Sequence, residues 1–336
     1  MYFENKKLLK PPVNRAAYSD RTAWLMAEMA RLAYFNFEGS LNIDDIAKSL
    51  AGESSEKTIK DVLSKLIDDK QQTSDKAKKE LDSYLTLSEF TLVDVFNTEG
   101  TQAFLASSDT YGMNVLAFRG TEADIKDIKA DLNGVTIEIN GATIHSGFYN
   151  AFNYVKKDVE TALQSLSSNG YPLYVTGHSL GGALALLATK FLASDSLGAC
   201  YTYGSPRVAS SLFGDDIKTP IYRIVNAADL VPRVPPAYVQ YFLIAIFEIA
   251  HIPFISSAIV KLLEKTVGYR HHGDMRFLTA CNTDYSDLRL LQNPTIIDRA
   301  LRLTKRLLAT MFKAGATDHF IKTYSNKLAA YAERRN

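Results

Sequence analysis

The six residues Gly177-His178-Ser179-Leu180-Gly181-Gly182 place a serine in the pattern Gly-x-Ser-x-Gly. That spacing marks a tight strand-to-helix turn which lifts a serine hydroxyl clear of the end of a sheet. The context is right on both sides. The short apolar run Tyr171-Pro172-Leu173-Tyr174-Val175-Thr176 reads as the strand, and the Ala- and Leu-rich segment from Leu180 to Leu192 reads as the helix. Gly177 and Gly181 leave room for neighbouring backbone, and the N–H of Leu180, in the first helical turn, has no carbonyl behind it. It can therefore donate to an oxygen that becomes negative beside the serine. The chemistry implied is nucleophilic attack by Ser179.

A serine hydroxyl is a weak nucleophile, so it needs a base, and the base needs an orienting acid. In a sheet with this type of turn the acid follows the serine in the chain and the base comes last. Asp229 lies in Val225-Asn226-Ala227-Ala228-Asp229-Leu230-Val231-Pro232, just past the apolar run Ile221 to Val225. A strand end followed by a proline-fixed loop suits an active-site carboxylate. Asp195, Asp215 and Asp216 are also downstream but sit in polar loops. Four histidines can supply the base: His251, His271, His272 and His319. His251 falls in an apolar segment that suits a core histidine, and chain order leaves His272 and His319 as equal candidates. No metal site is expected, because His271 and His272 are adjacent and lack a third ligand at helical spacing.

These residues need a scaffold. Leu92 to Phe96, Gln102 to Ala106, Met113 to Phe118, Val135 to Ile139, Cys200 to Tyr203 and Ile221 to Val225 read as strands. Helices are predicted over 19–35, 53–69, from about 145 to 166, and over about 295–313, with a further short one after His319. Arg299, Arg302, Arg306 and Lys313 are expected on one side of the 295–313 helix, as a solvated face or as a contact with an anionic interface. Strands alternating with helices of ten or more residues predict an α/β fold with its sheet covered on both faces. The charged stretch 70–82 suits a surface helix or linker, and 36–88 a helical appendage.

Composition narrows the class. The 336 residues include 38 basic and 37 acidic side chains, a net charge of +1, which argues against a dedicated nucleic-acid binder. With 46% hydrophobic and 22% charged residues the chain is globular rather than disordered. Two cysteines, Cys200 and Cys281, exclude a disulfide framework and a four-cysteine metal site. The N-terminal residues carry charge with no apolar stretch behind them, so no standard secretory leader is expected. The greasiest segment, Val234 to Val260, contains Glu248 and His251 and falls short of a spanning helix. It suits a buried or lipid-facing surface helix, and no transmembrane anchor is expected.

From about residue 90 to 330 the sequence resembles the class 3 lipase family, the alpha/beta hydrolases typified by secreted fungal triacylglycerol lipases. The resemblance rests on Ala117-Phe118-Arg119-Gly120-Thr121, His145-Ser146-Gly147-Phe148, the Ser179 motif, Tyr203-Gly204-Ser205-Pro206-Arg207-Val208, Asn226 to Pro236, and Asp318-His319-Phe320-Ile321-Lys322-Thr323-Tyr324. It implies an alpha/beta hydrolase fold, with a central, mostly parallel sheet flanked by helices. It implies His319 as the base, and Thr121 with Leu180 as the oxyanion hole. His271 and His272 then match a non-catalytic stretch of the family. The resemblance further implies a lid helix, here about 122–133, with Ile125, Ile128 and Leu132 on one side. No cofactor is implied, and the partner would be lipid or ester substrate at an oil–water or membrane surface. A secreted location is favoured by the same resemblance.

The chain also departs from the family pattern. Residues 1–89 form a helical N-terminal extension to a single domain, and the interval from Asp229 to His319 is enlarged by an apolar insertion over 234–265. The lid lacks the tryptophan of many relatives, and two cysteines cannot reproduce the fungal disulfides. These features point to a bacterial-type member. The activity implied is hydrolysis of triacylglycerol esters through Ser179, His319 and Asp229 and an acyl-enzyme. The alternatives are a phospholipase A1, a carboxylesterase on soluble short-chain esters, or a non-catalytic lipid-binding protein.

Overall fold

The computed structural model describes residues 1–9, 17–35, 74–120, 136–192, 197–234, 268–311 and 313–335. Helix α1 (Asp20–Leu32) opens at Ser19, whose side chain accepts the Thr22 N–H and caps the first turn. A second helix, α2, covers 74–86. Then follow strands β1 (Thr91–Thr98), β2 (Thr101–Ser108), β3 (Met113–Phe118), β4 (Thr136–Ile139) and β5 (Ala142–His145). Helix α3 (Ser146–Ser165), strand β6 (Leu173–His178), helix α4 (Leu180–Phe191) and strands β7 (Leu197–Tyr203), β8 (Ala209–Ser210) and β9 (Ile221–Asn226) come next. The chain continues through β10 (Tyr269–Arg270), β11 (Asp274–Leu278), β12 (Leu290–Gln292), α5 (Ile296–Ala309), α6 (Ala314–Thr317) and α7 (Ile321–Arg335).

Eight strands form one sheet in the order β1-β2-β3-β6-β7-β9-β11-β12. Its centre, β3-β6-β7-β9-β11, is parallel, and its margins are antiparallel. A smaller sheet runs β10-β8-β5-β4. Every residue of β3 and of β6 is buried, as expected for parallel strands covered on both sides. The alternation of side chains decides which layer each residue joins. On β3, Met113, Val115 and Ala117 pack with α1 and α7, while Leu116 and Phe118 pack with α3 and α4.

Helix α1 belongs to the core. Ten of its thirteen residues are buried, Trp24 among them. Its buried Glu28 accepts the Phe3 N–H at 2.7 Å and the Ser325 hydroxyl at 2.6 Å, and pairs with Arg31 at 3.1 Å, so the start of the chain, α1 and α7 are tied at one point. Of the stretch 1–89 read as an extension, α1 is thus a core layer. The predicted helix at 53–69 lies outside the described residues, as do the lid at 122–133 and nearly all of the 234–265 insertion. The segment after His319 was expected to be a short helix, but α7 runs for 15 residues and buries Tyr324, Lys327 and Leu328. Both cysteines are free thiols, and burial pushes the Cys200 thiol up to about 12. Among the described residues no helix is long and apolar enough to cross a membrane.

Candidate active site

Strand β6 delivers Ser179 at the carboxyl end of the sheet. Ser179 has φ 55° and ψ −126°, a conformation that a side-chain-bearing residue adopts only under constraint and that costs on the order of 1–3 kcal/mol. The constraint is local. The Ser179 N–H is held by the Tyr203 carbonyl at 2.9 Å, and β6 and α4 are pressed together at the two motif glycines. A Cβ on Gly177 would stand 2.1 Å from the Gly181 carbonyl oxygen, and one on Gly181 would stand 2.3 Å from that of Phe118. The Leu180 N–H begins α4 beside the hydroxyl.

Asp229 follows β9 and is fully buried. His319 follows α6. Its Nε2 lies 3.0 Å from Ser179 Oγ, and its Nδ1 lies 3.0 and 2.9 Å from the two carboxylate oxygens of Asp229. Three residues separated by 90 and 140 positions along the chain therefore form one hydrogen-bonded line. With Nδ1–H donating to the carboxylate, Nε2 is left to accept the serine proton.

Asp229 is held by more than the imidazole. Its Oδ1 accepts the Val231 N–H at 2.9 Å, and its Oδ2 accepts the Tyr324 hydroxyl at 2.5 Å. The Tyr324 oxygen in turn accepts the Asn226 N–H at 3.0 Å. Burial first, and the Asp229 charge second, raise the Tyr324 phenol well above its ordinary value, so it stays a donor. A carboxylate with this many donors is fixed in orientation.

A second ring of contacts sets the His319 backbone. His178 Nε2 donates to the His319 carbonyl at 2.6 Å, which leaves its Nδ1 to accept the Tyr34 hydroxyl at 2.7 Å. Burial, followed by the neighbouring His319, pushes the His178 imidazole well below its ordinary range, which agrees with a neutral ring in this tautomer. The buried Asp318 accepts the Ala228 N–H at 3.0 Å, and its own carbonyl accepts Asn226 Nδ2 at 2.8 Å. Lys327 Nζ closes the ring on Asn226 Oδ1 at 2.7 Å and the Thr279 carbonyl at 2.8 Å. Gly204, at φ 56°, gives the triad its floor, since a Cβ there would lie 2.6 Å from Asp229 Oδ2 and 3.0 Å from His319 Nδ1.

The other candidates are placed elsewhere. His271 Nε2 donates to the Pro232 carbonyl at 2.6 Å, and His272 packs on Phe213 with ring centroids 5.4 Å apart. Thr121 and His251 lie outside the described residues. Among the described residues no group of three or more His, Cys, Asp or Glu is arranged to hold a metal ion. Tyr34, Tyr324, Gly204 and Asp318 were not singled out as site residues from the sequence. Gly204, Asp318 and Tyr324 fall within stretches that carry the family resemblance, whereas Tyr34 had no signal there.

Residues 115–239, which contain the serine turn and Asp229, match the model of the family described as Lipase (class 3). The chain is 36% identical over 104 residues to secreted mono- and diacylglycerol lipase 1 of Fusarium solani, covering 29% of this chain and 31% of that protein. It is 38% identical over 107 residues to a lipase of Rhizomucor miehei, covering 28% and 29%. The matched stretches thus span about a third of those relatives' own length. A crystal structure of a mutant form of MDLA from Penicillium cyclopium aligns with 92% of this chain and 97% of that chain, with a TM-score of 0.53 and 21% identity, a likeness of fold. The fold is that of an alpha/beta hydrolase. Residues 115–239 carry the likeness to the class 3 lipase family.

Proposed function

We propose that the protein is a serine hydrolase of carboxylic esters whose substrates are lipids, triacylglycerols first among them. The observation that carries the reading is the His319 imidazole, within 3.0 Å of both the Ser179 hydroxyl and the Asp229 carboxylate. In the proposed cycle His319 takes the Ser179 proton as Oγ attacks the ester carbonyl. Asp229 orients the ring and stabilises the imidazolium that forms. The Leu180 N–H, joined by Thr121, receives the oxyanion; each such donor is worth on the order of 10²- to 10³-fold in rate. His319 then protonates the departing alcohol. Water, deprotonated by the same ring, releases the acid from the Ser179 ester.

The lipid substrate class rests on the family and on its acylglycerol-hydrolysing relatives. The test is hydrolysis of emulsified long-chain triacylglycerol beside a phospholipid and a soluble short-chain ester. The reading expects the triacylglycerol to be cut, with turnover lost in Ser179→Ala. Cleavage confined to the soluble ester would overturn the lipid assignment, and undiminished turnover by the variant would overturn the mechanism.

A further inference from the structure

Helix α5 is built inside out. Its spacing makes a clean amphipathic stripe, with Ile297, Leu301 and Leu308 four and eleven residues apart on one side. In a soluble protein that stripe normally faces the core. Here none of the helix's residues is buried. Ile296 is 62% exposed, Ile297 73%, Leu301 67% and Leu308 63%, and Met311 beyond the helix is 81% exposed. The side turned to the protein carries Arg299 and Arg306 beside the half-buried Leu303 and Leu307. Arg299 Nη1 lies 3.8 Å from Met275 Sδ, and Arg306 Nη2 lies 3.4 Å from Oδ1 of the buried Asp318. The sequence placed Arg299, Arg302, Arg306 and Lys313 on one side, as a solvated face or a contact with an anionic interface; in the structure Arg299 and Arg306 turn inward, and Ile297, Leu301 and Leu308 stay outside.

Two features say what this face meets. The first is charge. Lys305 on the helix and Lys313 just beyond it are exposed, and Asp298, the one acid of the helix, is already paired with Arg302 at 2.9 Å. An apolar stripe accompanied by exposed lysines fits an anionic lipid surface, where the side chains enter the acyl boundary and the lysines meet headgroup phosphates. The second is continuity with the site. The chain passes from α5 through α6 directly into His319, and the next residue, Phe320, is 61% exposed. Arg306 and Asp318 link the helix to the loop that carries Asp229. A lipid surface seated on α5 would lie against the His319 side of the site.

We propose that the outward face of α5, continued by Met311 and Phe320, docks the protein on anionic lipid surfaces. The inference rests on the lipid-hydrolase reading for its biological sense, but binding is measurable without hydrolysis.

The full chain carrying Ser179→Ala, which cannot consume the lipid, is mixed with vesicles of phosphatidylglycerol or of phosphatidylcholine and sedimented. Binding to phosphatidylglycerol is expected to be at least tenfold tighter and to weaken with salt. The double change Ile297→Glu and Leu301→Glu should reduce it at least tenfold, while the same change in the active protein leaves cleavage of soluble p-nitrophenyl acetate intact. Lys305→Glu should erode the preference for the anionic lipid. In Ile297→Trp the added emission, taken as the difference from the parent protein with its buried Trp24, should shift to the blue only when vesicles are added. Unchanged vesicle binding by the double variant would overturn the proposal. So would a difference emission already blue without lipid, which would show that the chain itself covers the face. A dimer that the double variant dissolves would assign the face to a second copy instead. Failure to cleave p-nitrophenyl acetate would count against the hydrolase reading and leave the binding result standing.

Discussion

Tyr324 donates its hydroxyl proton to Oδ2 of Asp229 at 2.5 Å, on the same carboxylate that His319 Nδ1 meets at 2.9 Å. The acid of the proposed triad is thus gripped from both sides by residues five positions apart, one in the loop before α7 and one in its first turn. The arrangement couples the folding of the last helix to the geometry of the reacting groups.

Removing that hydroxyl tests the coupling. In Tyr324→Phe, Asp229 loses a charge-assisted bond and the buried Asn226 N–H loses its acceptor. A hydrogen bond to a charged group is worth about 1.5–3 kcal/mol, so kcat is expected to fall roughly tenfold to a hundredfold. KM for a soluble ester should change little, because the phenol touches no substrate. Steady-state kinetics with a short-chain ester reads both quantities.

Gly204 offers a cleaner separation of activity from stability. Alanine there must place its Cβ against the Asp229 carboxylate at a backbone angle of φ 56°. Displacing the carboxylate and imidazole by a fraction of an ångström to an ångström costs on the order of 10²-fold in rate. Gly204→Ala should therefore lose far more activity than its fall in melting temperature would explain, as paired calorimetry and kinetics would show.

The acid limb of the stability profile follows from His178 and His271. Burial lowers both imidazoles well below 6.5, so the folded protein holds them neutral while the unfolded chain takes up protons. Stability from these groups is present above about pH 6.5 and is lost as pH falls below it, by on the order of 1 kcal/mol per pH unit for each ring. Tyr34→Phe should cost a further ~1–3 kcal/mol, since it leaves the buried His178 Nδ1 with no donor. Urea titrations across pH 5 to 8 would check both signs.

Much of this was legible in the sequence because it is locally encoded. The apolar run before Gly177 and the Ala-Leu run after it state the strand–turn–helix outright, and the strands that carry Ser179 and Asp229 show their burial in composition. Other parts needed the third dimension. Residue types alone left His272 level with His319, and the difference is where the loops lead: His272 lies against Gly214 and Phe213, whereas α6 turns His319 back onto Ser179. Tyr34 meets His178 across 144 residues, and no local pattern announces such a pair. Helix α5 misled in the opposite way. Its periodicity is clear, but periodicity says which residues share a face and not which face is turned inward.

Core packing gives one further expectation. Trp24, the single tryptophan, is 2% exposed where α1 meets the sheet. Trp24→Ala should destabilise the fold by about 3–5 kcal/mol. Chemical denaturation followed by circular dichroism would measure it, and a loss below about 1 kcal/mol would show that α1 is peripheral.

The relay from Ser179 to His319 to Asp229 is tested most directly by reaction with a serine-directed alkyl phosphonate followed by peptide mass spectrometry. One adduct per chain, on Ser179, is expected, with ester hydrolysis falling in step with labelling and with labelling slowed by roughly 10⁴-fold in His319→Ala. An adduct on another residue, or undiminished hydrolysis by a protein fully labelled at Ser179, would contradict it.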